Sequence, residues 1–325
     1  MSSQTAAESE GTTRFDVTLV GEFNVDLLLY GLPEELPVER ELLADSARMV
    51  LGGSPAITAH NLAALGNRVG FVSMAAKDTF ATLCMSELAT AGVDLSRAVE
   101  AADGVGTGVT VLLQHEHARR MLTYPGTTTR LRFDDLDLDY LKSSRHFHLS
   151  SYFLQMAMKD DVPRLFSLLK DAGLTTSLDT NDDPHEQWDL SIIDVLRHTD
   201  VLLPNEQEAC KLAHTVNLED AIAWILQYVP LVAVKRSADG AIACTRGHRY
   251  TAPAMQMDAI DAVGAGDSFN AGFLHGYVRG WPVEQCLQYG NLAGAYSTTA
   301  VGGVAAFQER ERMLAFLGEH FLQVK

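Results

Sequence analysis

The chain has 325 residues, a formal net charge of -17, 47% hydrophobic residues and 21% charged ones. These proportions describe a globule with ample core, long enough for one large α/β domain or two ordinary ones. The negative charge repels phosphate backbones and argues against a nucleic-acid partner, and no apolar run reaches bilayer-spanning length.

Residues 1–14, rich in Ser, Thr, Glu and Ala, lack the basic start and apolar stretch of a signal peptide. They read as a disordered tail ahead of a single domain over 15–325. The four cysteines (Cys84, Cys210, Cys244, Cys286) are scattered, which fits reduced core thiols in a cytoplasmic protein.

Residues 15–21 predict a first strand, with Asn24 and Asp26 just past its end. Residues 27–51 hold short apolar pieces broken by Gly31, Pro33 and Pro37, and stop at Gly52 and Gly53. Ser54 is the expected cap of the next helix, with Pro55 in its first turn, Gly66 beyond its end and 57, 61 and 64 on one face. Residues 108–113 and 120–124 predict a hairpin.

From Pro125 onward strands and helices alternate. Strands are expected near 146–150, 175–179, 200–203 and 231–235, and helices near 161–172, 186–197, 205–213 and 218–227. A hairpin over 240–251 and C-terminal helices follow. Such alternation predicts a mostly parallel sheet covered on both faces, an α/β fold. The β-like stretches near 27–51 and 104–124 stand outside it.

The most informative segment is Asp261-Ala262-Val263-Gly264-Ala265-Gly266-Asp267, between a strand-like and an amphipathic stretch. Its small residues leave backbone N–H groups free to converge on an anion at a helix start. Asp267 falls in the first helical turn, where a carboxylate can take a proton from an attacking hydroxyl. Asn205 and Glu208 have the spacing of a reciprocal helix cap. No Gly-x-x-x-x-Gly-Lys-[Ser/Thr] occurs, and no Gly-x-Gly-x-x-Gly follows the first strand. The pairs His115/His117 and His146/His148 have period-two spacing but lack a third ligand, so a zinc reading is set aside.

The heptad 261–267 resembles the signature of the ribokinase-like (PfkB) carbohydrate kinases, with Ala262 where Thr is common. The resemblance implies a three-layer α/β/α fold whose β segments form a lid over a sugar and pair two copies into a homodimer. It implies transfer of the γ-phosphate of ATP to a hydroxyl, Asp267 being the base and the amides of Gly264, Ala265 and Gly266 the anion hole. Asn24, Asp26, Gly52, Gly53 and the position of Ile57 are implied for the sugar; relatives carry Asn where Ile57 stands. Asn205, Glu208, Lys235, Ser237, Gly240, Asn291 and Gly303 are implied for the nucleotide, with Ser237 where Gly is usual. Glu208 is implied to hold Mg2+ through water, and Asp261 lies where many relatives hold K+.

Where several sugar-acid kinases of the family carry an arginine, residues 182–186 are acidic. An acidic lip of Asp182, Asp183 and Glu186 repels anionic sugars and favours a neutral one. Arg119, Arg120, Arg130, Arg132 and Arg145 lie near the hairpin and the next strand and are the candidates for the opposite case.

Overall fold

The computed structural model describes residues 13–115 and 119–323; most of the tail and His117 lie outside them. The strands are β1 Phe15–Val20, β2 Asn24–Tyr30, β3 Ser46–Gly52, β4 Val69–Val72, β5 Met74–Ala75, β6 Val99–Glu100, β7 Gly108–Gln114, β8 Arg119–Tyr124, β9 Ser144–Leu149, β10 Thr175–Leu178, β11 Val201–Leu202, β12 Leu231–Lys235, β13 Ala241–Cys244 and β14 Arg249–Ala252. The helices are α1 Ser54–Ala64, α2 Thr79–Thr90, α3 Leu138–Lys142, α4 Val162–Asp171, α5 Ile192–Leu196, α6 Glu206–Leu212, α7 Leu218–Ile225, α8 Ala265–Tyr277, α9 Val283–Ser297, α10 Ala305–Gln308 and α11 Arg310–Gln323.

Eight strands form one sheet in the order β14-β13-β12-β11-β10-β9-β1-β4. Pairing is parallel from β4 through β12 and antiparallel at β12-β13-β14. The run Leu231-Val-Ala-Val shows why: Leu231 and Ala233 face one apolar cluster and Val232 and Val234 the other, so both sheet faces are covered. Helices α1, α8 and α9 line one face, and α4, α5 and α7 the other. The parallel strands all end toward one edge, where the chain leaves them at Glu22, Ser150, Asp179, Asn205 and Lys235. Among the described residues, no helix is long and apolar enough to cross a membrane.

A second sheet, β3-β2-β7-β8, stands apart from the first. Its inner face sets Leu28 and Leu112 against Val263 of the signature loop, with Val50 and Val301 beside them. Its outer face carries Leu27, Met49, Val111 and Leu122 in one cross-strand row. Met49, Leu122 and Tyr124 there are 46%, 60% and 55% exposed.

Between β9 and β10 runs a buried polar ladder. His146 Nδ1 meets Thr175 Oγ1 at 2.7 Å and its Nε2 meets Ser177 Oγ at 2.7 Å. Ser177 Oγ also meets His148 Nδ1 at 2.7 Å, and His148 Nε2 meets Ser150 Oγ at 2.8 Å. A neutral imidazole has one donor and one acceptor, so each ring is satisfied between two hydroxyls. Burial pushes both rings down to about 3. The two histidines do share a face, as their spacing implies, and their ring nitrogens meet hydroxyls.

Two sequence expectations fail locally. The helix expected over 186–197 is only α5, because Asp183 accepts the backbone N–H groups of His185, Gln187 and Trp188 at 2.8–2.9 Å. That carboxylate-nucleated turn holds Glu186 and Trp188 at φ of 53° and 47°, which a helix cannot contain. Ser54 does not cap α1: Gly53 is its N-cap, and Ser54 is the first helical residue with its hydroxyl turned elsewhere.

Candidate active site

Asp267 lies in the first turn of α8, whose N-cap Gly264 is left-handed at φ 76°. A Cβ on Gly264 would come within 2.3 Å of the Gly303 Cα, so the two loops touch through bare backbone. Ile57 closes the contact from beneath, its side chain 2.7 Å from where a Gly303 Cβ would sit. The position read from sequence as facing a sugar therefore carries a buried apolar buttress under the glycine loop. Asn61 Nδ2 donates to Gly303 O and to Ser268 Oγ, both at 2.9 Å. Asp261 accepts from the Val263 N–H at 3.0 Å and the Gly302 N–H at 2.9 Å, stapling the same two loops. The Ala265 N–H turns back to Ala262 O at 3.3 Å, and the N–H groups of Gly266 and Asp267 after it lie at the positive end of the helix dipole.

Lys235 ends β12 beside this loop; a Cβ on Gly266 would lie 3.8 Å from its Nζ. Its ammonium pairs with Asp179 Oδ2 at 2.6 Å, and Asn270 of α8 bridges the pair, with Oδ1 3.3 Å from Lys235 Nζ and Nδ2 2.5 Å from Asp179 Oδ2. Asp179 is wholly buried. Burial alone would push the Lys235 ammonium down, but Asp179 and Glu208 outweigh it and hold the group above its ordinary range. Sequence reading set Lys235 near phosphates and missed Asp179 and Asn270 as its partners. The signal was there: Asp179 follows a parallel strand at the ligand edge of the sheet.

Asp267 keeps part of its surface open to the cleft although protein surrounds it on most sides. Burial, then the charge of Asp179, push its carboxyl up to about 7, against the pull of Lys235 and a hydrogen bond from Ser54. Glu208 is also pushed up to about 7, by burial and then by Asp179. Asn205 and Glu208 form the expected reciprocal cap: Glu208 N–H donates to Asn205 Oδ1 at 2.8 Å, Asn205 N–H to Glu208 Oε2 at 2.8 Å, and Asn205 Nδ2 to Glu208 Oε1 at 2.6 Å.

Asn24 and Asp26 open the second sheet rather than a loop. Asn24 Nδ2 donates to Asp26 Oδ1 at 2.7 Å and to Thr110 Oγ1 at 3.2 Å. Gly52 pairs with Asn24 across the strands, and a Cβ there would strike the Asp26 carboxylate at 2.3 Å. Gly53 lies against Asn24 and the Glu22 carbonyl. Asp78 caps α2 through the Ala81 N–H at 2.8 Å and ties down Thr107.

The remaining nucleotide positions ring the outer end. Ser237 is exposed with φ 50°, the conformation that makes glycine usual there. Gly240 presses on the 252–254 segment, where a Cβ would meet Ala252 O at 2.1 Å. Asn291 holds that segment, donating to Ala252 O at 2.9 Å and Pro253 O at 3.1 Å.

The acidic lip does not form as expected. Asp183 turns inward onto its own backbone, and Asp182 and Glu186 each lie 3.3 Å from Lys211 Nζ. Arg145 bonds Thr13 at the start of β9, opposite the site, and Arg120 bonds Glu34 O. Arg130 is exposed and anchored to Gly126 O at 3.1 Å. Gly126, which anchors Arg130, abuts Gly106 and Gly108, and Gly108 abuts Asn24.

The sequence pattern of pfkB family carbohydrate kinases matches residues 14–310. An ATP-dependent ribose-1-phosphate kinase from Halopiger xanaduensis is 31% identical, over 96% of this chain and 98% of its own. A 2-dehydro-3-deoxygluconokinase from Bacillus subtilis is 28% identical, over 82% and 86%. Among solved structures, an E. coli ribokinase II candidate in complex with ATP and Mg2+ aligns with a TM-score of 0.80 at 25% identity, covering 94% and 99% of the two chains. Arabidopsis thaliana ribokinase complexed with ribose and ATP aligns with a TM-score of 0.80 at 22% identity, covering 93% and 98%. The fold, the glycine loop at the head of α8 and the family pattern over nearly the whole length agree, and this chain belongs to the pfkB family of carbohydrate kinases, phosphotransferases with an alcohol group as acceptor.

Proposed function

We propose that the protein transfers the γ-phosphate of ATP to a hydroxyl of a small, neutral monosaccharide, with Asp267 as the general base. The observation that carries this reading is the joint placement of Asp267, the Gly264–Gly303 loop contact and Lys235 at one point of the sheet edge. Asp267 removes the hydroxyl proton as the oxygen attacks in line. The N–H groups of Gly266 and Asp267 receive charge that develops on the transferring phosphoryl, and Lys235 adds a fixed positive charge beside them. Glu208 is the carboxylate that would hold magnesium through water, and the ion would supply positive charge to offset phosphate.

Asn24 and Asp26 supply a donor and a carboxylate that can accept two sugar hydroxyls, and the bare Gly52 lets the Asp26 carboxylate lie against the backbone there. Asp26, Glu22 and Asp267 disfavour an anionic group at the reacting end. A second reading is a sugar with a phosphate or carboxylate at its far end, favoured by the names of the two relatives and by the exposed Arg130, anchored to the Gly126 turn. The apolar outer face of the second sheet suits a homodimer formed through that lid.

The test is ADP release with magnesium-ATP over neutral sugars, sugar phosphates and sugar acids, for the native chain and Asp267→Asn. The expected result is one preferred sugar and turnover lower by several orders of magnitude in the variant, with nucleotide binding intact. Near-native turnover of Asp267→Asn would remove Asp267 as the base, and a preference confined to anionic sugars would select the second reading.

A further inference from the structure

Two carbonyls of the touching loops, Gly264 O and Gly303 O, point into the protein. Gly264 O accepts the Ser268 N–H at 2.9 Å and the Ser268 hydroxyl at 2.8 Å. Gly303 O accepts Asn61 Nδ2 at 2.9 Å, and the same nitrogen donates to Ser268 Oγ at 2.9 Å. Asn61 of α1 and Ser268 of α8 are both fully buried, so both carbonyls face the dry interior between these helices.

Gly303 O fixes the proton arrangement. A carbonyl only accepts, so the Asn61 amide turns its nitrogen to Gly303 O and its oxygen to His60 Nδ1, 2.9 Å away. Both amide hydrogens are then in use, one on Gly303 O and one on Ser268 Oγ. The serine proton goes to Gly264 O at 2.8 Å; Gly303 O, 3.5 Å from that hydroxyl, is already supplied. Ile57, one turn before Asn61, fills the gap between the loops, 3.4 Å from where a Gly264 Cβ would sit and 2.7 Å from a Gly303 Cβ. A trans peptide carries its N–H opposite its C=O. Anchoring these two oxygens inward keeps them off the phosphate side and sets where the N–H groups of Gly266 and Asp267 begin α8.

We propose that Asn61 is a positioning residue for phosphoryl transfer: with Ser268 it ties the Gly303 and Gly264 carbonyls together behind the glycine loop and so holds the Gly266 and Asp267 N–H groups in place for the transferring phosphoryl. This rests on the reading of that loop as the anion hole. In Asn61→Ala the Ser268 hydroxyl, with its one proton, cannot serve Gly264 O and Gly303 O at once, and the tie between the loops is lost.

The experiment measures magnesium-ADP binding by calorimetry with and without aluminium fluoride, a stand-in for the phosphoryl in transfer, beside turnover with magnesium-ATP and the preferred sugar. The native chain, Asn61→Ala, Ser268→Ala and Ser268→Thr are compared at a temperature where circular dichroism shows each folded. Fluoride should tighten ADP binding to the native chain. The expected result for Asn61→Ala is a loss of about tenfold to a hundredfold in that tightening and a matching fall in kcat, with the Kd for magnesium-ADP alone unchanged. Ser268→Ala should show a smaller loss, and Ser268→Thr, whose hydroxyl can still reach the carbonyl one turn back, should restore it. Should Asn61→Ala fold poorly, the two Ser268 variants test the tie from α8. Native fluoride tightening and native kcat in folded Asn61→Ala would overturn the proposal and leave the anion hole in place. Absence of fluoride tightening in the native chain would overturn the anion-hole reading and the proposal with it.

Discussion

The buried pair of Lys235 and Asp179 makes the sharpest quantitative demand on this structure. Its ammonium and carboxylate lie 2.6 Å apart, Asp179 is wholly buried and the Lys235 side chain is 13% exposed. In Lys235→Met the carboxylate keeps the Asn270 amide and the Asn181 N–H at 3.3 Å, but no counter-charge. Stranding a buried charge in this way costs about 3–5 kcal/mol, whereas replacing both partners leaves no charge to desolvate. Asp179→Asn combined with Lys235→Met should then be more stable than Lys235→Met alone, by roughly 2 kcal/mol or more. Urea denaturation of the four proteins, followed by fluorescence and far-UV dichroism with matched slopes, gives the cycle. A loss below about 1 kcal/mol in the single variant, or additive losses in the double, would refute the reasoning.

Two further outcomes follow from the site and the lid. With its carboxyl pushed up to about 7, Asp267 should give kcat/KM an acidic limb near 7 rather than near 4, activity falling as pH drops through it. The stability sign is opposite. The folded-state value exceeds 3.8, so ionising Asp267 subtracts stability between pH 4 and 7, and a limb near 4 would show that the site is not desolvated as described. If the outer face of the lid joins two copies, Leu122→Glu should halve the mass seen by analytical ultracentrifugation; a native chain already monomeric at high concentration would end that reading.

Most of the fold was legible because parallel strands announce themselves. Runs such as Leu231-Val-Ala-Val, apolar on both faces, mark strands covered from both sides. The helix expected over 186–197 failed for a local reason: Asp183 offers three N–H groups a competing acceptor, and apolar periodicity carries no trace of that competition. The site divides likewise. Gly264, Gly266 and Asp267 are consecutive enough to be read as a unit. Asp179 and Asn270, like Asn61 and Ser268, meet only through the strand order and the packing of helices, and nothing in their spacing marks the meeting. Ile57 was read from its position, yet its side chain turned out to serve the loop beneath the site.

The ladder of Thr175, His146, Ser177, His148 and Ser150 has an evolutionary consequence. Each inner rung donates to one neighbour and accepts from the other, so losing Ser177, the inner hydroxyl, orphans a nitrogen on each imidazole in the dry interior. Single changes along it are therefore worse than simultaneous ones, and descendants of this chain should either inherit the five residues together or replace the inner ones together with apolar side chains. Drift elsewhere in the sheet can proceed one residue at a time; here two neighbouring strands are bound into a single unit of inheritance.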